Sequence, residues 1–271
     1  MAVMRVTILG CGSSGGVPRV GGDWGACDPN EPRNRRTRCG LLLQQWAGEA
    51  ERGEATTVLI DTPPDLREQL LATHVQRIDA IVFSHDHADQ THGIDDVRAI
   101  VHRMRQRIPA FMDEETYASL NRRFSYIFNG ERGYPSILAP VVSLKPGQPF
   151  PVEGPGGAIV LTPLLQDHGG MASLGFRTGR FAYSNDVVHL PSETLDALDG
   201  LDLWIVDALR YAPHPTHAHV ERSLHWVSLL KPRHAVLTNL HIDLDYQTLK
   251  RELPDGVEPA HDGWRRDLHL T

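Results

Sequence analysis

The chain has 271 residues, and 41% of them are hydrophobic, so it can bury a sizeable core in one large domain or in two. Its formal net charge of −7 argues against binding long nucleic acids by charge alone. There is no run of about 18 apolar residues, which excludes a membrane-spanning helix.

The N-terminal residues are typical of a first strand rather than of a signal peptide. They lack a basic start, a long apolar core and a cleavage site. The three cysteines, Cys11, Cys27 and Cys39, are odd in number and show no C-x-x-C spacing, which argues against a disulfide framework. We therefore expect a cytoplasmic protein.

A glycine-rich turn and an arginine-rich loop follow the first predicted strand, residues 5–10. The turn C-G-S-S-G-G at 11–16 would expose backbone N–H groups that can bind a phosphate, or it would simply connect two strands. The segment R-N-R-R-T-R at 33–38 could clamp phosphate oxygens with its arginines, or it could be a solvated loop. Neither signal identifies a function alone.

A polar motif follows a short buried strand near the middle of the chain. Strands are predicted over 39–46 and 56–61, and a helix begins at Asp65 as N-cap. The apolar run 78–83 is β-branched and too brief for a helix, so it predicts a third strand. The sequence H-D-H-A-D-Q-T-H then occupies residues 85–92.

The spacing of this motif predicts a metal site. Alternate residues of an extended backbone point the same way, so His85 and His87 can aim at one point. Imidazole nitrogens together with the carboxylate of Asp89 suit zinc, manganese or iron(II). The alternative is a polar surface loop, but a chance H-x-H-x-D directly after a buried strand is uncommon.

The remaining elements indicate an α/β class with mixed sheets. The aromatic segment 124–135 is either a lid or substrate wall, or a packed loop. We find no internal repeat or linker, which favours a single domain over residues 1–271. Helices are predicted over 95–107, 113–123 and 220–230, and strands over 108–112, 158–165, 173–177, 180–184, 201–206 and 234–238.

Three later strands also end in residues that can bind a metal. His168 follows the strand that begins near 158, Asp186 follows 180–184, and Asn239 and His241 follow 234–238. Each residue alone could be a cap or a core residue. Several strands that deliver such groups to one edge of a sheet would instead make a metal pocket.

These motifs resemble the metallo-β-lactamase superfamily, over nearly the whole chain. Within it the chain is similar to the cyclic-phosphate phosphodiesterases associated with carbon–phosphorus lyase, and next to the tRNA 3′-processing endonucleases. The arginine-rich loop that ends in Cys39 and the block 217–238, which ends in L-K-P-R-H-A-V-L-T, carry this closer likeness. The resemblance implies a four-layer αββα sandwich that holds two divalent metals, zinc or manganese.

The resemblance also implies roles for individual residues. His85, His87 and His168 would hold the first metal, and Asp186 would bridge to the second. Asp89 would bind the second metal and orient a metal-bound hydroxide. His217 would act as general acid, and His219 would be its neighbour, with an open role.

Two departures from the family pattern concern the second metal. Gln90 and Asn239 stand where the family has histidines, yet His92 and His241 occur two residues later in each case. We expect a second site that is rebuilt with Asp89, Asp186 and His241, or one that is weakened. We favour His241 as a ligand because the loop after a strand can shift by two residues, while His92 is less suited to reach the metal. A structural zinc site of clustered cysteines is expected to be absent, since only Cys27 remains in that region.

The predicted activity is hydrolysis of a small cyclic or nucleotide-like phosphodiester, with Arg35, Arg36 and His219 as candidates to bind the substrate. Arg33, Arg38 or the glycine turn could hold a further phosphate. The alternatives are a tRNA 3′-processing endonuclease, an ester, thioester or lactone hydrolase, and a metal- or nucleotide-binding protein with little turnover. We expect no membrane partner and no long nucleic acid, and a homodimer is an open alternative to a monomer.

Overall fold

The computed structural model describes residues 2–270. Within that range the chain forms strands β1 (Val3–Gly10), β2 (Gly40–Trp46), β3 (Thr56–Ile60), β4 (Ala80–Val82), β5 (Ile108–Met112), β6 (Leu138–Val142), β7 (Phe150–Val152), β8 (Ile159–Asp167), β9 (Ala172–Thr178), β10 (Phe181–Ser184), β11 (Leu203–Asp207), β12 (Ala235–Thr238), β13 (Val257–Pro259) and β14 (Arg265–His269). The helices are α1 (Leu66–Ala72), α2 (Ala88–Thr91), α3 (Arg98–Met104), α4 (Glu114–Arg123), α5 (Ser125–Asn129), α6 (Ser192–Ala197), α7 (Val220–Leu230) and α8 (Tyr246–Glu252). Two 3-10 turns cover Pro32–Asn34 and Ile94–Val97.

The strands form two mixed seven-stranded sheets. The first has the order β14-β1-β2-β3-β4-β5-β6, and the second has the order β13-β12-β11-β10-β9-β8-β7. In the first sheet β3 to β6 run parallel, while β2–β3 and β1–β14 are antiparallel. In the second sheet β10 to β13 run parallel, while β8–β9 and β9–β10 are antiparallel.

The chain divides into two compact units, each made of separate segments. The first unit combines the residues up to Leu9 with Gly40–Val160 and the residues from Arg265 on. The second combines Gly10–Cys39 with Leu161–Trp264. That residues 1–271 fold as a single domain stays a prediction.

In the first unit, helices connect the parallel strands and cover their apolar side chains. Helix α1 joins β3 to β4, and α3 lies between β4 and β5. Leu59 and Ile81 of the strands belong to the same buried cluster as Leu66 and Leu70 of α1 and Val101 of α3. Crossover connections of this kind are what parallel strands require.

In the second unit, three neighbouring parallel strands end at one edge of the sheet. Strands β10, β11 and β12 are paired in parallel register, with Ser184 beside Val206 and Asp207 beside Thr238. Their apolar residues and those of α7 share a core that contains Trp204, Leu237 and Trp226. The residues that follow these strands are therefore delivered to the same edge.

All four edge strands were missed from the sequence, and three of them contain a proline. Pro140 lies in β6, Pro151 in β7 and Pro259 in β13. Proline cannot donate to a neighbouring strand, so it argues against a central strand but is compatible with an edge. The fourth edge strand, β14, has the charged sequence R-R-D-L-H.

The predicted helix over 95–107 is shorter than expected. A 3-10 turn over Ile94–Val97 precedes α3, and α3 ends at Met104 because Arg105 adopts the left-handed conformation with φ 53°. The helices predicted over 113–123 and 220–230 are present as α4 and α7. None of the helices formed by residues 2–270 is long and apolar enough to cross a membrane.

Candidate metal centre

Three side chains of the second unit converge at the edge where its parallel strands end. His168, Asp186 and His217 each offer one metal-ligating atom, and these atoms all lie within 4.8 Å of one another. His168 directly follows β8, Asp186 follows β10, and His217 lies in the loop between β11 and α7. Two imidazoles and a carboxylate suit a divalent transition metal such as zinc or manganese.

His168 is held in the tautomer that a metal ligand needs. Its Nδ1 lies 2.7 Å from the carbonyl oxygen of Thr216, so Nδ1–H donates to that carbonyl. The Nε2 lone pair is then available for a ligand. A backbone carbonyl of this kind fixes both the orientation and the basicity of a ligating histidine.

Asp186 is buried and fixed by two asparagine amides. Its Oδ2 accepts a hydrogen bond from Asn185 Nδ2 at 2.7 Å, and its Oδ1 accepts one from Asn239 Nδ2 at 3.2 Å. The residue is 2% exposed and adopts a positive φ of 52°. A non-glycine residue in the left-handed region commonly marks a functional position, because the conformation is costly and must be maintained by its surroundings.

His217 is paired with a carboxylate that the sequence analysis missed. The Nδ1 of His217 lies 2.9 Å from Oδ2 of Asp207, and Asp207 is fully buried. The same Oδ2 accepts the backbone N–H of Val187, and the Ser223 hydroxyl donates to the Asp207 carbonyl. Asp207 ends the apolar run of β11, between β10 and β12, so the pattern that pointed to Asp186 could also have identified Asp207.

In the first unit, His85 and His87 lie side by side after β4. Their ring centroids are 4.6 Å apart in an edge-on arrangement, with His85 buried and His87 exposed. Ser84 Oγ lies 3.0 Å from Nδ1 of His85 and donates to Oδ2 of Asp61 at 2.8 Å. The Ser84 oxygen can therefore accept from His85 Nδ1–H, which leaves Nε2 as the ligating atom.

Asp61 is the second residue that sequence reasoning missed. It is fully buried after β3, and its Oδ1 accepts the Ser84 backbone N–H at 2.8 Å. Burial raises the pKa of Asp61 to about 7, against the opposing effect of the two Ser84 hydrogen bonds, and the charge of Asp89 raises it further. The sequence feature that could have identified Asp61 is an aspartate at the end of a buried strand, followed by T-P-P.

The two residues at the departures from the family pattern lie in different surroundings. Gln90 is 1% exposed, and its backbone carbonyl oxygen accepts the backbone N–H of Thr62. His92 is exposed and packs edge-on against Phe124, with ring centroids 5.4 Å apart. Gly93 fits only without a side chain, since a Cβ there would lie 2.0 Å from the carbonyl oxygen of Pro63.

At the end of β12, Asn239 rather than His241 lies beside the cluster. The Nδ2 of Asn239 is 3.1 Å from Nδ1 of His217, in addition to its bond to Asp186. His241 Nδ1 instead lies 3.1 Å from the Asp243 carboxylate. Among residues 2–270, the metal-capable groups do not include His241. His241 as a ligand stays a prediction, and its place outside these groups does not favour it.

The candidate substrate-binding residues also differ in exposure. The Arg36 side chain is buried, and its guanidinium donates to Asn34 Oδ1 and to the carbonyl oxygens of His241 and Leu244. These contacts give Arg36 a structural role. Arg35 is exposed, and half-buried His219 precedes α7, where burial lowers its pKa.

The comparisons with known proteins agree with this geometry. A family model described as the beta-lactamase superfamily domain matches residues 56–242, so the chain belongs to that superfamily. It thereby falls in the class of metallo-β-lactamase-fold hydrolases, and its two mixed sheets with flanking helices confirm the predicted fold class. This fold implies divalent metal binding, and the donor set of His168, Asp186 and His217 fits such an ion.

Individual relatives support both parts of the resemblance. A crystal structure described as a new diphosphatase from the PhnP family is 33% identical, with a TM-score of 0.86, and the match covers 99% of this chain and 98% of that one. Human tRNase Z, short form, is 17% identical with a TM-score of 0.65 over 97% of this chain and 98% of that one, which shows the shared fold.

A curated protein of Porphyromonas gingivalis, named octanoyltransferase, is 30% identical over 264 residues. The match covers 96% of this chain but 51% of the relative, so the chain spans about half the length of that curated protein.

Proposed function

We propose that this protein is a divalent-metal-dependent hydrolase of a small phosphodiester or diphosphate. The observation that carries the proposal is the cluster of buried His168 and Asp186 with half-buried His217, whose metal-capable atoms lie within 4.8 Å of one another, so that two ligands and a general acid share one sheet edge. The similarity to a PhnP-family diphosphatase at 33% identity supports cleavage at phosphorus rather than at carbon.

The proposed metal ligands follow three different strands, β4, β8 and β10. His85, His87 and His168 would hold one ion, and Asp89 and Asp186 would serve a second ion, zinc or manganese in each case. When bound, such ions act as Lewis acids that neutralise phosphoryl oxygens and lower the pKa of water.

His217 is the proposed general acid, and Asp207 is its positioning residue. Because Asp207 accepts the proton of Nδ1 at 2.9 Å, the Nε2 position of the imidazolium carries the transferable proton. The buried carboxylate also stabilises the imidazolium that must exist before the transfer. His217 would then protonate the alkoxide or phosphate oxygen that leaves.

We further propose that the second metal site is weak. Asn239 supplies an amide where an imidazole would be a stronger ligand, and that amide already donates to Asp186 Oδ1. Gln90 likewise offers only an amide. The contact with Asp243 uses Nδ1 of His241 and leaves its Nε2 able to ligate, so His241 would restore a nitrogen ligand only if it moved towards the cluster.

A small substrate is favoured over a long RNA. The net charge of −7 does not favour a polyanion. Exposed Arg35 and His219 remain the proposed contacts for a phosphate of the substrate. A homodimer stays a prediction, which size-exclusion chromatography with light scattering would test.

The test pairs metal content with activity. Elemental analysis of the purified protein would be followed by assays on bis-p-nitrophenyl phosphate, cyclic ribose phosphates, dinucleoside diphosphates, precursor tRNA and p-nitrophenyl acetate. We expect metal-dependent cleavage of small phosphodiesters or diphosphates. Cleavage of precursor tRNA alone, or of carboxylic esters alone, would overturn the proposal in favour of an endonuclease or an esterase.

A matched pair of variants makes this assay specific. His217→Ala is expected to abolish most of the turnover, while His225→Ala, which removes an exposed histidine on α7, should leave it unchanged. Nucleotide binding without metal-dependent hydrolysis of any phosphorus ester would instead indicate a binding protein.

A further inference from the structure

A cleft of about 270 Å³ lies in the first unit, and none of the residues assigned above lines it. It is lined by two tyrosines, two arginines and one glutamate: Arg98, Tyr126, Glu131, Arg132 and Tyr134. The Arg98 guanidinium carbon lies 5.6 Å from the centroid of the Tyr134 ring. The cleft therefore combines aromatic faces with hydrogen-bond donors and acceptors.

The Tyr134 ring is displayed by a well-defined turn. Glu131 and Tyr134 exchange two backbone hydrogen bonds of 3.1 and 2.8 Å around Arg132 and Gly133. Both central residues have positive φ, 50° and 87°, which is the type I′ geometry of a tight hairpin. The side chain of Tyr134 is nevertheless 67% exposed, so the fold presents a large aromatic ring without using it in the core.

The opposite wall of the cleft is also fixed. Arg98 donates to the carboxylate of Asp95, and the Tyr126 hydroxyl hydrogen-bonds to the same carboxylate. These bonds fix the Arg98 guanidinium, which lies over the ring of Tyr134, and the hydroxyl of Tyr126. A ligand that enters would meet a preorganised surface and would order few side chains on binding.

The cleft adjoins the segment that carries the metal-binding motif. Phe124, which precedes α5, packs edge-on against His92, and Arg123 donates to the Asp86 carboxylate at 3.0 Å. Asp95 and Arg98 follow the motif directly along the chain. A substrate whose phosphorus lies near His85 and His87 could therefore extend a neighbouring group into the cleft.

We propose that this cleft binds the purine or pyrimidine base of a nucleotide substrate, with the base stacked on Tyr134. The inference rests on the proposed function and deepens it, because it names a nucleotide ester as the substrate class. A base is flat and matches an exposed aromatic ring. Its polar edge matches Arg98, the Tyr126 hydroxyl and the Glu131 carboxylate, groups that an alkyl chain would leave without partners.

Adenosine is the probe that separates base binding from phosphate chemistry, since it has neither a phosphate nor an ester to cleave. Its affinity would be measured by titration calorimetry on the full-length protein with its metals, with ribose as the base-free control. The variants are Tyr134→Ala, Tyr134→Phe and, as an exposed apolar control, Leu71→Ala.

We expect Tyr134→Ala to weaken adenosine binding by about tenfold or more, the usual contribution of one stacked base. Tyr134→Phe and Leu71→Ala should bind like the wild type, and ribose should not bind. Equal adenosine affinity in Tyr134→Ala, or no adenosine binding at millimolar concentration, would overturn the base site. Failure of the proposed function would appear separately, as absence of metal-dependent hydrolysis in the substrate panel.

Discussion

The Nδ1 of His217 lies 2.9 Å from Oδ2 of Asp207, inside the protein and at the end of β11. Because Asp207 has no solvent exposure and is tied to the backbone of Val187, the imidazole is held in one orientation and one tautomer. Asp207, at the end of β11, therefore determines that one imidazole proton of His217 lies on Nδ1.

Replacing Asp207 by Asn tests this pairing. The amide can donate to Nδ1, which would favour the tautomer with the proton on Nε2 and remove the charge that stabilises the imidazolium. We expect kcat on a small phosphodiester to fall by about 10²-fold or more, with little change in KM. Wild-type kcat in a correctly folded Asp207→Asn protein would exclude Asp207 as a positioning residue, with circular dichroism as the check on folding.

Replacing Asp61 by Asn should weaken metal binding. The Asp61 carboxylate accepts from Ser84 Oγ, which lets that oxygen accept from His85 Nδ1. An Asn amide would donate to Ser84 Oγ instead, and the Ser84 hydroxyl would then donate to His85 Nδ1. This favours the His85 tautomer with its proton on Nε2, the ligating nitrogen. We expect metal affinity to fall by about 10- to 100-fold, measured by competition with a chelating dye; an unchanged affinity would contradict this relay.

Metal content should distinguish His241 from His168. His168→Ala is expected to lower the number of ions retained per chain, since its Nε2 is oriented for ligation by the Thr216 carbonyl. His241→Ala should retain the wild-type number, because among residues 2–270 His241 lies outside the groups of metal-capable side chains. Loss of one ion in His241→Ala would show that the second site is rebuilt around His241, as one of the sequence-based expectations holds.

The neighbouring arginines Arg35 and Arg36 should behave in opposite ways. Arg36→Ala removes three hydrogen bonds to buried acceptors and leaves a cavity, so we expect a loss of about 2–4 kcal/mol in the free energy of unfolding. Arg35→Ala should leave stability unchanged and raise KM if Arg35 contacts the substrate. Denaturation in urea and steady-state kinetics on the same preparations would measure both effects. A loss of stability in Arg35→Ala with none in Arg36→Ala would contradict these roles.

Asp245 should make stability depend on pH in the acid range. Burial alone would raise its pKa, but hydrogen bonds from the Asn34 side chain and from the Thr248 and Asp28 N–H groups outweigh it and lower the pKa to about 2. The lowered pKa stabilises the folded protein above the unfolded value of 3.8, and this stabilisation is lost as pH falls from 3.8 towards 2.

The matching variant is Asp245→Asn, which keeps an acceptor for the α8 N-terminus but has no charge. At neutral pH we expect it to be less stable than the wild type by about 1–2 kcal/mol, after allowance for partial solvent exposure. Unfolding in urea should show this difference shrinking as pH falls below 3.8. A difference that is constant with pH would assign the effect to packing rather than to charge.

The sequence was most informative where an apolar strand ended in a polar residue. That pattern predicted His85, His87, His168 and Asp186, and it applies equally to Asp61 and Asp207. These two were missed because their carboxylates support histidines through hydrogen bonds and are not themselves in a histidine-rich motif. A contact between residues 61 and 84, or 207 and 217, depends on strand pairing that spacing along the chain does not reveal.

Asn239 and Arg36 show the same limit. The motif pattern could not decide between Asn239 and His241, because the positive φ of 63° at Asn239 sets the direction of the chain after β12. For Arg36, an arginine-rich segment predicts solvent or phosphate contact, and only tertiary structure shows that carbonyl oxygens 205 and 208 residues away accept its hydrogen bonds.

The pairing of β14 with β1 brings distant parts of the chain together, with Val3 opposite His269 and Thr7 opposite Arg265. A short peptide linker could therefore connect the start of β1 to the end of β14 without crossing the molecule. Such a covalently closed chain could be reopened at an exposed loop such as 48–54, where Gly53 has open space around it. The resulting circular permutant would show whether this terminal strand pair must form early in folding or can be completed last.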